Sequence, residues 1–111
     1  MTYNKTEIYI EAPDNLDADF CYIASGDCMI GANIFNGDVV FIKQQETVEN
    51  GQIAAVKVED TVILKRWYYY PEKETLVLMP ENPKYKPMIF SGERIKSITC
   101  IGRAVGVMSK L

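Results

Sequence analysis

Two runs rich in Val, Ile and Tyr, Gln52–Val58 and Thr61–Tyr70, are separated only by Glu59-Asp60, and that spacing leaves room for little except a tight β-hairpin. The same alternation of apolar run and turn signal continues along the chain. Further strands are expected at Glu7–Ile10, Phe20–Ser25, Val39–Gln44, Thr75–Met79, Met88–Phe90 and Ile95–Val107. Asn36-Gly37-Asp38, Asn50-Gly51 and Pro71-Glu72-Lys73 punctuate them. No stretch carries the pattern of a three-turn helix. Met29–Phe35 allows one short helical turn, which Gly31 and Asn33 keep from extending. The expected fold is therefore mostly β: several short antiparallel strands with at most one short helical turn. The last run is long for one strand, so Gly102 and Gly106 are expected to mark bends or bulges. An exposed edge on that strand could pair with a second copy of the chain.

The 111 residues suit one domain with a single modest core. No internal linker or repeat divides it, and only residues 1–12 read as a loosely ordered N-terminal lead. No run approaches the ~18 apolar residues of a membrane span. The start lacks a signal-peptide core, so a cytoplasmic protein without membrane contact is expected. Twelve basic and 15 acidic residues leave a net charge of -3. Glu7, Glu11, Asp14, Asp17 and Asp19 face only Lys5 near the start, a segment that repels phosphate. Direct nucleic-acid binding by this domain is disfavoured.

The three cysteines, Cys21, Cys28 and Cys100, have neither the paired spacing of a disulfide framework nor the CxxC spacing of a zinc site. The chain contains no histidine. That excludes Ser-His-Asp and Cys-His catalysis as well as histidine-bound zinc. No metal or cofactor is expected, and any chemistry must use Cys, Ser, Lys, Tyr or carboxylates.

Two residues could carry such chemistry. Strand alternation places Lys65 on one face with Ile63, Trp67 and Tyr69. Partial burial there would favour the neutral amine, which can act as a base. Cys28 follows the run Phe20–Ser25 in a glycine-containing turn, where a nucleophile can meet a substrate. A lysine beside it would favour the thiolate. Each also has a plainer account, a lysine whose amine reaches water and a small buried cysteine. Cys21 and Cys100, set within apolar strands, fit the plainer account.

Gly26-Asp27-Cys28-Met29, followed by Ile34-Phe35-Asn36-Gly37-Asp38-Val39-Val40, resembles the G-x-S-M…G-D signature of the LexA and UmuD family of self-cleaving S24 peptidases. Val62-Ile63-Leu64-Lys65-Arg66 resembles the strand bearing that family's general-base lysine. Leu78-Met79-Pro80-Glu81-Asn82-Pro83 and Gly102-Arg103-Ala104-Val105-Gly106-Val107 resemble later landmarks of the same family. The matches run in order from about Phe20 to Val107.

The resemblance implies a compact β fold like the LexA C-terminal domain. Cys28 would take the nucleophile position of the serine, and Lys65 would be the general base. It further implies a homodimer that supports a transcriptional repressor of the DNA-damage (SOS) response. The substrate would be the protein's own upstream cleavage segment, cut with stimulation by a RecA filament.

Two departures qualify this. Cysteine replaces the serine, and an ion pair with Lys65 would keep the lysine protonated, so cleavage is expected to be weak or absent. The Ala-Gly and Cys-Gly bonds cut in the family do not occur in the sequence. The chain thus reads as the piece downstream of the cleavage site, with the DNA-binding domain and that site absent. Two other readings stay open: a processed UmuD-like accessory subunit of an error-prone polymerase, and a non-enzymatic β interaction domain.

Overall fold

The computed structural model describes residues 16–109, which form one seven-stranded sheet. In chain order the strands are β1 (Phe20–Ile23), β2 (Val39–Gln44), β3 (Ile53–Val58), β4 (Thr61–Tyr70), β5 (Thr75–Met79), β6 (Met88–Ser91) and β7 (Ile98–Met108). Across the sheet they lie in the order β1-β2-β7-β3-β4-β5-β6, and every neighbouring pair is antiparallel. The expected strand at Glu7–Ile10 and the N-terminal lead lie outside the described residues.

The hairpin at Glu59-Asp60 forms with Val58 opposite Thr61, and Glu59 takes a left-handed φ of 56° to close the turn. The last strand ties the sheet together. Its first half, from Ile98 to Arg103, pairs with β3, and its second half, from Gly102 to Met108, pairs with β2. Both ladders slip by one residue. Ala104 and Gly106 face consecutive residues of β2, and Cys100 and Gly102 face consecutive residues of β3. The slips lie beside Gly102 and Gly106, and such bulges add local twist, which curls the sheet.

The final strand begins later than its apolar pattern suggests, at Ile98 and not Ile95. Residues Gly92–Ser97 instead coil into a 3-10 helix, with the Ser97 hydroxyl donating to the Arg94 carbonyl at 2.7 Å. Ile95 keeps its apolar role by packing on the core from that helix. The turn expected within Met29–Phe35 is present as a 3-10 helix over Ile30–Ala32, and a further one covers Pro71–Lys73.

Two main clusters make the core. Val40, Ile42, Leu64 and Ile101 form one with Met29 and Ile34, while Val56, Trp67, Leu76, Leu78 and Phe90 form the other. Strand β2 is buried on both faces, because Val39 and Phe41 pack with Cys21 in a third cluster. Burial of each such aliphatic side chain contributes about 1.5–3 kcal/mol. Among the described residues no helix is long and apolar enough to cross a membrane.

Candidate active site

Cys28 lies between two anchors. On one side Met29 and Ile34 are sunk into the first core cluster, each 3% exposed. On the other side Asp27 is held by the segment after β5. The Asn82 amide donates to the Asp27 backbone carbonyl at 2.9 Å, the Tyr85 hydroxyl donates to the Asp27 carboxylate, and Lys84 lies 3.5 Å from the same carboxylate. The Tyr85 hydrogen bond, with the Lys84 charge adding to it, outweighs desolvation and holds the Asp27 carboxyl below its ordinary range.

The loop after Cys28 is pinned from two directions. Glu81 donates its backbone N–H to the Cys28 carbonyl at 2.8 Å and accepts the Gly31 N–H on its own carbonyl at 2.8 Å. Gly31 is required by that approach, since a Cβ there would stand 2.6 Å from the Glu81 carbonyl oxygen. From the opposite direction the Asn36 side chain accepts the Gly26 N–H at 2.9 Å. The buried Asp38 carboxylate accepts the Phe35 N–H at 2.8 Å. The Gly37-Asp38 pair thus serves as a brace for the loop.

Lys65 comes from the middle of β4, opposite Ala54 of β3. Its strand neighbours Ile63 and Trp67 pack in the second cluster, whereas its flexible stem brings the amine to Cys28, beside the first. The Nζ–Sγ distance is 3.0 Å, and both groups are partly buried. The next residue, Arg66, forms an ion pair with the Glu81 carboxylate and donates to the Gly51 carbonyl at 2.7 Å. Glu81 therefore connects the Cys28 loop to the strand that carries Lys65.

An open cleft surrounds the pair, walled by Tyr22, Met29, Ile34, Ile63 and Leu64. The Tyr22 hydroxyl donates to the Val62 carbonyl at 3.1 Å. Burial raises the Tyr22 phenol above its ordinary range, and the nearby Cys28 raises it further. The arrangement has the parts of a nucleophile–amine dyad: a thiol at a loop apex, an amine within hydrogen-bond reach, and apolar walls open to an incoming chain. The other two cysteines stand apart. Cys21 is buried in β1, and Cys100 packs against the second cluster, where burial raises its thiol.

The two residues singled out from sequence are thus neighbours in space. The residues that hold them, Asp27, Glu81, Asn82 and Tyr85, were not singled out individually. The signals were the Gly26-Asp27-Cys28-Met29 and Pro80-Glu81-Asn82-Pro83 landmarks, and neither carries a hint that the second grips the first across 55 residues.

A family model described as Peptidase S24-like matches residues 1–105. The chain belongs to that family. Among S24-like relatives it is 40% identical over 89 residues to the LexA repressor of Thermosipho melanesiensis, covering 80% of this chain and 42% of that protein. It is 34% identical over 105 residues to the LexA repressor of Shouchella clausii, covering 91% of this chain and 47% of the relative. The match to the LexA repressor of Bacillus mycoides is 38% over 96 residues, or 86% and 44% of the two chains. This LexA-like S24 domain spans less than half the length of the curated relatives it matches.

Proposed function

We propose that this chain is the C-terminal self-cleaving and dimerising domain of a LexA-like repressor, with Cys28 as nucleophile and Lys65 as general base. The observation that carries the proposal is the 3.0 Å contact between Cys28 Sγ and Lys65 Nζ inside an open apolar cleft. The substrate is a peptide segment upstream of the domain. The LexA repressors among its relatives favour the repressor branch over a polymerase accessory subunit.

In the proposed reaction the neutral Lys65 amine takes the thiol proton as Cys28 Sγ attacks the scissile carbonyl. The resulting ammonium gives that proton to the departing amine, and water then hydrolyses the thioester. Clamping the loop through Glu81 and Asn82 limits the freedom that attack would otherwise have to remove. Were the thiol to give its proton to Lys65 ahead of attack, the amine could no longer serve as the base, so cleavage is expected to be slower than with a serine at this place.

The proposal extends to partners. A second copy of the chain supplies dimerisation, and a RecA filament formed on damaged DNA stimulates cleavage in the cytoplasm. With a net charge of -3 the domain leaves operator contacts to a separate DNA-binding domain.

The test uses a form that carries the upstream segment, incubated at alkaline pH and followed by intact mass. One internal cut is expected, faster in Cys28→Ser and abolished in Lys65→Ala. Cleavage of Lys65→Ala at the parental rate would exclude Lys65 as the base. The 111-residue chain alone is expected to keep its full mass.

A further inference from the structure

A thiol brings chemistry to this site that a hydroxyl does not. We propose that the Cys28–Lys65 pair is an acyl relay, in which Cys28 takes an acyl group from a small aliphatic thioester and hands it to the Lys65 amine as a stable amide. The inference rests on Cys28 as the nucleophile of the proposed dyad but not on self-cleavage.

Geometry carries the transfer. The 3.0 Å between Sγ and Nζ is close to the separation of two atoms bonded to one tetrahedral carbon. An acyl carbon on Sγ therefore lies within bonding reach of Nζ without movement of the Cys28 loop or of β4. Met29, Ile34, Ile63 and Leu64 wall the cleft with apolar surface suited to a short aliphatic chain.

Both steps balance. The Cys28 thiol exchanges with the donor, forming the Sγ–acyl bond and releasing the donor's thiol. The Lys65 amine then attacks the thioester carbonyl, the C–N bond forms, the C–S bond breaks, and the amine's proton returns to Sγ. Once acylated, Cys28 can carry no negative charge beside the amine. Amines attack thioesters far more readily than oxygen esters, so a serine at this position would relay poorly. The product amide no longer accepts a proton, and the dyad is left without its base.

The test treats the full 111-residue chain with S-acetyl-N-acetylcysteamine at about pH 8.5, where an ordinary thiol is half ionised. Peptide mapping is expected to find a hydroxylamine-resistant acetyl group on Lys65. It should form roughly tenfold or more faster than on the other lysines, as expected of a reaction between groups held in contact. Cys28→Ala should lose that preference, and Lys65→Arg should instead hold a hydroxylamine-labile acetyl group on Cys28. Circular dichroism checks that both variants keep the parental β spectrum.

Acetylation of Lys65 at an unchanged rate in Cys28→Ala would show direct attack and overturn the relay. A parental chain that holds only a labile acetyl group on Cys28 would also overturn it, leaving the nucleophile assignment intact. No label at Cys28 in folded Lys65→Arg would overturn both.

Discussion

The Glu81 N–H donates to the carbonyl oxygen of Cys28 at 2.8 Å, joining a loop that follows β1 to a segment that follows β5. The Glu81 side chain meanwhile pairs with Arg66, the residue after Lys65. One residue thus touches the supports of both Cys28 and Lys65. Its backbone bond sets the Cys28 loop, and its carboxylate sets the strand bearing the amine.

Removing that carboxylate should loosen the pair without unfolding the domain. Glu81 and Arg66 are each about a third exposed, so Glu81→Ala is expected to cost about 1 kcal/mol in urea denaturation. It should also shift the pH–rate profile of Cys28 alkylation, which loss of stability alone would not move. Arg66→Ala should act alike, and the double variant should lose less than the sum of the singles. Additive losses would show that the two residues do not act together.

Gly31→Ala probes the other half of the same clamp. The new methyl group would meet the Glu81 carbonyl, and backbone cannot step aside as a flexible side chain can. A loss of about 1–3 kcal/mol is expected. Stability within experimental error of the parent would mean that the approach of these two backbones is not tight.

The Asp27–Tyr85 hydrogen bond leaves opposite marks on its two ends. It is the first cause both of the lowered Asp27 carboxyl and of the raised Tyr85 phenol. The Asp27 contribution to stability is in place above an unfolded-chain value of about 3.9 and is lost as pH falls through the lower folded value. The Tyr85 contribution is in place below about 10 and is lost as pH rises through the higher folded value. Tyr85→Phe should therefore raise the Asp27 titration midpoint measured by carbon NMR. It should also remove this pair's share of alkaline destabilisation. An unmoved Asp27 midpoint would mean that the hydrogen bond is absent in solution.

Beyond Arg103, β7 is paired with β2 alone among the described residues, and Val107 and Met108 are exposed there. That half-strand offers backbone donors and acceptors to a second copy. The parental chain should sediment as a dimer at high micromolar concentration, and Val107→Lys should shift it toward monomer. Because Val107 is 42% exposed, its replacement should change monomer stability by no more than about 0.5 kcal/mol. A parental chain that stays monomeric would count against dimerisation through this edge.

Much of the fold was legible in the sequence because its signals are local. The limits of β2, β4 and β5 agree residue for residue with the runs Val39–Gln44, Thr61–Tyr70 and Thr75–Met79, where stretches rich in β-branched and aromatic residues meet turn residues. The start of β7 was not legible. Ile95 is as apolar as a strand residue, and only its packing onto the second cluster from a 3-10 helix separates it from one. The site shows the same division. Ordered landmarks singled out Cys28 and Lys65, residues 37 positions apart.

By itself, then, the sequence marked most of the strands and turns and picked out Cys28 and Lys65 as the candidate pair, since each depends on residue type and near neighbours. Only the tertiary structure decided that they meet, and that Glu81 and Asp27 are the residues through which their loop is held. Hydrogen bonds act over about 3 Å and leave no periodic trace along the chain, so no local pattern records them.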